Sequence, residues 1–246
     1  MILRRFMKHI TDQNWFAVGL DMIVVITGIF FGMQLTDWNE ERNNRVLESS
    51  YYQQLILDLK ADQEITRYAI NENSTNHAHG QLFYQALTED DFQISDPNKF
   101  AESVLLSRYH TSSIINRQTY EELTNTGNLR LLVDVDLKRE IVGYYQGNLM
   151  LRQWDMTQSI LHASYVELAA KLISPEVTSK LTYEVEVKIS DEEARKILET
   201  AHTLPNLKGL LTTMINRNLR SIRSDERKTK RIQNLIELLE KKLEDS

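Results

Sequence analysis

The longest uninterrupted apolar stretch of the chain lies close to its N-terminus. It reads FAVGLDMIVVITGIFFGMQL, and its strongly polar members are only Asp21, Thr27 and Gln34. About twenty residues of α-helix span ~30 Å, the thickness of a bilayer hydrocarbon core. The pattern therefore predicts a transmembrane helix over residues 16–36. The alternatives are a buried soluble helix, which seldom runs this long with one charge, and a cleaved signal peptide, which needs a shorter apolar core and a small-residue cleavage site.

Beyond this stretch, apolar positions recur at helical spacing. Four of them follow one another at intervals of four residues: Leu47, Tyr51, Leu55 and Leu59. Acidic and basic residues fill the other positions, and neither Pro nor Gly occurs between Trp38 and Gly80. The pattern predicts that the transmembrane helix continues as one long amphipathic helix to about residue 87.

Turn signals then separate several further helices. The sequence TEDDFQISDPNK breaks the long helix, and Asp96 with Pro97 is typical of a helix start. Ser190 with Glu193 forms a capping-box pattern. The helices predicted after the break are 97–109, 117–126, 134–173, 191–202 and 205–244. Antiparallel packing of the last of these against residues 45–87 is expected to elongate the bundle.

One segment departs from helical spacing. In LTYEVEVKI, apolar and polar residues alternate, which predicts a half-buried strand over residues 181–189. Phe92 and Ile94 offer a short partner strand over residues 91–95, and a neighbouring subunit is a second source of a partner. An irregular loop with chance alternation is the alternative.

Basic residues beside the apolar stretch predict its orientation. Residues 1–15 carry three basic residues, whereas residues 36–45 carry two together with three acidic residues. Because Lys and Arg are retained on the cytoplasmic side, residues 1–15 are expected in the cytoplasm and residues 37–246 outside it. The predicted location is thus the bacterial inner membrane, with the bulk of the chain in the periplasm.

Within the apolar stretch, Asp21, Gly28 and Gly32 are spaced by seven and four residues. At about 100° per residue they project to one side of a helix. Small residues four apart let two membrane helices approach closely, and an ionisable group in a bilayer avoids lipid by facing a partner or water. The stripe predicts a homo-oligomer associated through these three residues. The alternative places Asp21 at one interface, hydrated and without a special role.

Two groups of residues stand out as motifs. They are Gly19-Leu20-Asp21, Val24-Val25, Gly28-Ile29, Gln34 and Trp38-Asn39-Glu40-Glu41-Arg42, and then Tyr120-Glu121-Glu122-Leu123, Gly127-Asn128-Leu129, Leu137 to Glu140 and Tyr144-Tyr145. On these motifs, residues 1 to about 150 resemble a domain-of-unknown-function family of bacterial single-span membrane proteins. The resemblance implies a bacterial membrane location and implies no activity.

Composition supports a mainly α fold. The whole chain has 8 Gly and 3 Pro, so it has few of the residues that build the turns of a many-stranded protein. It has no Cys, which excludes a disulfide framework, a cysteine-ligated zinc site and a thiol nucleophile. The net charge of −6 gives no global signal for nucleic acid.

A local basic run nevertheless lies in the last predicted helix. Its members are Arg217, Arg220, Arg223, Arg227, Lys228, Lys230 and Arg231. Such a run usually forms a solvated face or pairs with an acidic helix. Anionic lipid headgroups are a further candidate partner if the helix returns towards the membrane, whereas nucleic-acid binding lacks a recognition motif.

No motif of catalysis or cofactor binding is present. The chain lacks the nucleophile-elbow, Walker, dinucleotide-binding, zinc-protease and EF-hand patterns. His77 and His79 are two apart, so on a helix they cannot share a metal ion. The sequence therefore favours a non-enzymatic protein without cofactor or metal: a membrane-anchored, self-associating interaction, sensory or scaffold module with an unknown membrane or periplasmic partner. The alternative is an oligomeric pore or gate with Asp21 facing the axis.

Overall fold

The computed structural model describes residues 15–157, 159–175, 177–178, 181 and 188–245. The chain divides into two compact units, Met1–Ser50 and Tyr51–Asp245. We call them the N-terminal unit and the bundle.

The described residues are mainly helical, as the sequence predicts, and no strand is found among them. The helices are α1 (Trp15–Thr88), α2 (Pro97–Leu106), α3 (Gln118–Asn125), a 3-10 turn (Asn128–Leu131), α4 (Val135–Thr157), α5 (Ser159–Ala169), α6 (Asp191–Thr203) and α7 (Leu207–Glu244). α4 and α5 both pack against α7, and α2 packs against α6.

Helix starts occur where the local signals predict them. The side chain of Asp96 accepts a hydrogen bond from the Lys99 amide (3.1 Å), and Pro97 occupies the first turn of α2. At α6 the Ser190 hydroxyl accepts from the Glu193 amide (3.2 Å), and the Glu193 carboxylate accepts from the Ser190 amide (2.8 Å). These side chains satisfy backbone groups that a helix end leaves without intrahelical partners.

The strand predicted for residues 91–95 is wrong. This segment is a turn followed by irregular backbone, and Phe92 and Ile94 pack partly buried against the apolar residues of α2 and its neighbours. Alternating burial needs only that alternate side chains point inward, whereas a strand also needs a hydrogen-bonded neighbour. Residues 182–187 of the second predicted strand lie outside the described residues. Beside them, the Ile189 amide donates to the Asn98 side chain (2.7 Å).

The N-terminal unit contains the first part of α1. The large apolar side chains from Met22 to Leu35 are all exposed, by 55% to 65% of their surface. In the part of the chain that the structure describes, no helix has both the length and the apolar character needed to cross a membrane. The transmembrane helix over residues 16–36 stays a prediction.

In the bundle, α1 and α7 run antiparallel. Lys60 of α1 forms an ion pair with Glu240 of α7 (3.1 Å), and His77 Nδ1 lies 3.1 Å from the carbonyl oxygen of Ile215. Residue numbers thus rise along one helix as they fall along the other. The side chain of Ile215 packs against Gly80, where a Cβ atom would lie 2.8 Å from Cγ1 of Ile215.

Inward-facing positions on both helices alternate at intervals of four and three residues. On α1 the buried residues at this spacing are Leu55, Leu59, Asp62, Thr66, Ala69, Asn73, Asn76, Phe83 and Leu87. On α7 they are Leu207, Leu211, Met214, Asn218, Asp225, Ile232, Leu235 and Leu239. Both series are apolar at their ends and mainly polar in between. The bundle therefore has two apolar cores, separated along α1 and α7 by a polar layer, which we call the polar middle.

Candidate ligand cavity in the polar middle of the bundle

Residues 107–117 join α2 to α3 through the polar middle, and we call them the connecting segment. Asn73 on α1 holds this segment at Thr111 through both atoms of its side-chain amide. Asn73 Nδ2 donates to the Thr111 carbonyl (2.8 Å), and the Thr111 amide donates to Asn73 Oδ1 (2.9 Å). The side chain thus replaces the backbone partner that an extended chain would find in a sheet.

Two carboxylates on α1 hold the end of the connecting segment. Asp58 accepts from Asn116 Nδ2 (2.7 Å) and from the backbone amide of Thr119 (3.2 Å), which belongs to the first turn of α3. Asp62 accepts from the Asn116 amide (2.6 Å) and from the Tyr144 hydroxyl (2.8 Å). A negative side chain at a helix start is favourable because the first amides lack intrahelical acceptors.

α7 holds the connecting segment from its other side. Ser113 donates its hydroxyl to Asp225 (2.6 Å), and Lys228 donates to the Ser113 carbonyl (3.2 Å) while pairing with Asp225 (2.9 Å). The side chains of Asp225 and Lys228 are both buried. Asn218 lies 3.0 Å from His110 Nδ1 through its amide oxygen. The connecting segment is therefore hydrogen-bonded on both sides along most of its length.

Burial shifts the pKa values of two side chains in the polar middle, Asp62 and Tyr144. Asp62 has no exposed surface, and loss of water raises its pKa to about 6. The nearby Asp58 acts in the same direction, whereas hydrogen bonds from Asn116 and Tyr144 lower the pKa of Asp62 and only partly offset the burial. Burial, together with Asp62, also raises the pKa of the Tyr144 hydroxyl above its ordinary value, so Tyr144 remains a donor.

A cavity of about 850 Å³ opens beside the connecting segment. It is lined by the connecting segment, by α7 and by one turn of α4. Its residues are His110, Thr111, Ser112, Ser113, Ile114, Ile115, Arg117, Asn148, Leu149, Arg220, Ser221, Arg223, Ser224, Asp225, Arg227 and Lys228. This volume falls within the range of pockets that hold small molecules.

The cavity wall carries an excess of positive charge. Arg220, Arg223 and Arg227 lie three and four residues apart, so they share one face of α7. Among the described side chains, none of the three forms an ion pair or a hydrogen bond. The only acidic residue among the lining residues, Asp225, is already paired with Lys228. The three guanidinium groups therefore present donors and charge to whatever enters the cavity.

The basic run predicted from sequence is divided by the structure. Arg217 is buried, and Arg231 reaches α4, where it donates to the Gly143 carbonyl (3.3 Å) and lies 3.4 Å from the Glu140 carboxylate. Lys230 is exposed and does not line the cavity. Lys228 is already paired with Asp225. Of the seven basic residues, only Arg220, Arg223 and Arg227 therefore line the cavity without a partner among the described side chains.

The other predicted site residues lie on α1 in the N-terminal unit. A Cβ atom added at Gly28 or Gly32 would meet nothing within 4 Å among the described atoms. The side chain of Asp21 lies outside the described residues. Association through this stripe stays a prediction.

Sequence reasoning missed the polar residues that hold the connecting segment in place. Asp62, Asn73, Ser113 and Asn116 were not singled out. A signal was present, because Asp62 and Asn73 continue the inward spacing of Leu55 and Leu59 with polar side chains. Buried carboxylate and amide side chains are generally hydrogen-bonded, so such residues indicate a specific internal partner.

The fold and the site together define a helical bundle with a polar middle and a cationic cavity. Among the described residues, no group of three or more His, Asp or Glu side chains is placed to hold a metal ion. Comparison of the chain with protein-family models, with curated proteins and with solved structures gives no match.

Proposed function

We propose that this protein is a membrane-anchored, self-associating module that binds an anionic ligand in its bundle and acts as a sensory or scaffold component. The observation that carries the proposal is the cavity of about 850 Å³ bordered by Arg220, Arg223 and Arg227. Like charges on one helix face repel each other, and a bound anion relieves that repulsion. Arginine also matches phosphate and carboxylate geometry with two donors at once.

The rigid wall of the cavity supports a binding role. Asn73, Asp62 and Asp225 fix the connecting segment by hydrogen bonds from two helices. A wall that is already ordered loses little conformational entropy when a ligand binds. Binding rather than catalysis is favoured because the one lining carboxylate, Asp225, is occupied by Ser113 and Lys228 and so is not a free general base.

Membrane anchoring is proposed for the N-terminal unit. Its support is the run of exposed apolar side chains from Met22 to Leu35, the basic residues within 1–15 and the resemblance described above. In this arrangement residues 16–36 cross the bacterial inner membrane, lipids surround the helix, and the bundle lies in the periplasm. Gly28, Gly32 and Asp21 would then be available for self-association with a second copy.

Anion binding is tested by isothermal titration calorimetry with inorganic pyrophosphate, using the full chain in phosphatidylcholine nanodiscs at low salt. The triple variant Arg220→Gln, Arg223→Gln, Arg227→Gln should bind at least about tenfold more weakly, because it loses several charge-assisted hydrogen bonds. Lys230→Gln is the matched control, since it removes one charge from the same helix outside the cavity. Equal affinity of the triple variant and the parent would refute the proposal, as would absence of binding to the parent.

A further inference from the structure

The cavity wall has two chemical characters that come from different elements. α7 supplies the arginines, together with the hydroxyls of Ser221 and Ser224. The connecting segment and α4 supply apolar side chains, of which Ile114 is 58% exposed and Leu149 is 43% exposed. Large exposed apolar side chains beside a cluster of cations are what a ligand with both an anionic and an apolar part requires.

The position of Ile114 is fixed by its neighbours in the chain. Ser113 on one side is bound to Asp225 and Lys228, and Asn116 is bound to α1 through Asp58 and Asp62. The intervening backbone cannot move away without breaking these hydrogen bonds. Ile114 is therefore held at the cavity, although withdrawing its side chain from water would be favourable.

The volume of the cavity bears on the size of its ligand. Pockets of roughly 300–1,000 Å³ enclose drug-sized molecules, whereas an inorganic anion occupies a small fraction of such a space. At about 850 Å³, this cavity would keep its apolar wall exposed to water if only a small anion were bound. A ligand that covers the apolar wall as well gains additional affinity from the hydrophobic effect.

We infer that the cavity takes a single-chain amphiphilic phosphate, with its phosphate group at Arg220, Arg223 and Arg227 and its alkyl chain against Ile114 and Leu149. The inference rests on the anion site of the proposed function and adds the chemical class of the ligand. A phosphate monoester suits the wall because its oxygens accept from several guanidinium groups and from the Ser221 and Ser224 hydroxyls together. Such a ligand reaches the cavity either free in solution or from the lipid bilayer.

The inference is tested with the full chain in phosphatidylcholine nanodiscs by calorimetric titration with inorganic, methyl, butyl and hexyl phosphate. Empty nanodiscs correct for partition of the alkyl chains into lipid. Affinity should rise about threefold to fourfold for each added methylene that the cavity wall covers. Ile114→Ser should reduce this chain-length dependence, because it removes apolar surface from the cavity wall. Val133→Ser is the matched control, because Val133 is an exposed apolar residue that does not line the cavity.

The outcomes separate this inference from the proposed function. Binding of methyl phosphate with no gain for hexyl phosphate would leave the anion site standing and overturn the amphiphile. An unchanged chain-length dependence in Ile114→Ser would also overturn it, because the alkyl chain would then lie elsewhere. Absence of binding for every phosphate would remove the anion site itself.

A second arm identifies the source of the ligand. Lysophosphatidic acid, which carries a phosphate monoester and one acyl chain, is included in the nanodiscs. Weaker hexyl phosphate binding in these nanodiscs than in phosphatidylcholine alone would support the inference, with the bilayer as the source. Unchanged hexyl phosphate binding, with the chain-length dependence intact, would support it with the free amphiphile as the ligand.

Discussion

Asp62 shows how one buried residue links stability to pH. Its pKa rises from an ordinary value of about 3.9 to about 6, chiefly because it is buried. Between about pH 4 and pH 6 the folded chain therefore holds a proton that the unfolded chain has released. The free energy of unfolding therefore falls as pH rises through this window. Above about pH 6 the decrease is complete and amounts to about 3 kcal/mol.

We expect Asp62→Asn to remove this fall in the free energy of unfolding between about pH 4 and pH 6. An amide keeps an acceptor for the Asn116 amide and carries no ionisable group, so the variant should lack this component of the pH dependence. The measurement is urea unfolding followed by circular dichroism between about pH 4 and pH 8. Asp136→Asn is the control, because the Asp136 side chain is almost fully exposed. Parallel curves for Asp62→Asn and the parent would show that the Asp62 carboxyl is not perturbed.

The arginines of α7 illustrate why residue type does not define a role. Arg231 and Arg227 are four residues apart, yet the first is bound to α4 and the second borders the cavity. Their side chains are chemically identical, and neither has an acidic residue three or four positions away along α7. The packing of α4 against α7 makes the difference, because it gives Arg231 an acceptor and leaves Arg227 at the cavity.

At the scale of elements, the crossing of α1 and α7 depends on Gly80. A side chain there would meet Ile215, whose Cγ1 lies 2.8 Å from the position of an added Cβ. We expect Gly80→Leu to destabilise the bundle by about 1–3 kcal/mol through overpacking. Adding Ile215→Ala should restore part of this loss, because it removes the obstructing atoms.

A glycine without such a neighbour provides the comparison. Gly209 lies in the first turn of α7 and has nothing within 4 Å of an added Cβ. Gly209→Ala should leave stability unchanged or raise it by about 0.5 kcal/mol, since alanine restricts the unfolded chain. The measurement is thermal unfolding of Gly80→Leu and Gly209→Ala beside the parent. Similar effects at Gly80 and Gly209 would mean that the Ile215 side chain does not obstruct a side chain at residue 80.

The predicted elements agree with the structure where the signals are local. The start of α2 at Pro97 and the capping box at Ser190 depend on atoms within one helical turn. The strand over residues 91–95 was predicted wrongly because strand formation depends on a neighbouring chain segment. Alternation at Phe92 and Ile94 reports only which side chains pack inward.

At the scale of the whole molecule, topology can be measured directly because the chain has no Cys. Ser74 is an exposed residue of α1, so Ser74→Cys adds a single accessible thiol. With the N-terminus in the cytoplasm, this thiol should react with a membrane-impermeant maleimide once the outer membrane is permeabilised. Labelling only after lysis of the inner membrane would reverse the proposed orientation.

Self-association is the second property of the whole molecule. Replacing both Gly28 and Gly32 by Leu should weaken assembly more than Asp21→Asn does, because bulky side chains hold the backbones apart. A polar contact between membrane helices contributes only about 0.6–2 kcal/mol. The measurement is the oligomer mass of the full chain in mild detergent. A parent that runs as a monomer at micromolar concentration would end the association hypothesis.

The sequence by itself determined the mainly helical fold, the starts of α2 and α6, and the apolar inward-facing positions of α1 and α7. These follow from turn chemistry and from side chains three and four residues apart, which are properties of neighbouring residues. Tertiary structure decided the path of the connecting segment, the binding of Ser113 by Asp225 and Lys228, and the position of three arginines at a cavity. Each of these depends on hydrogen bonds between residues that are far apart in the chain: Thr111 is 38 positions from Asn73, and Ser113 is 112 positions from Asp225. No spacing along a single segment encodes these hydrogen bonds.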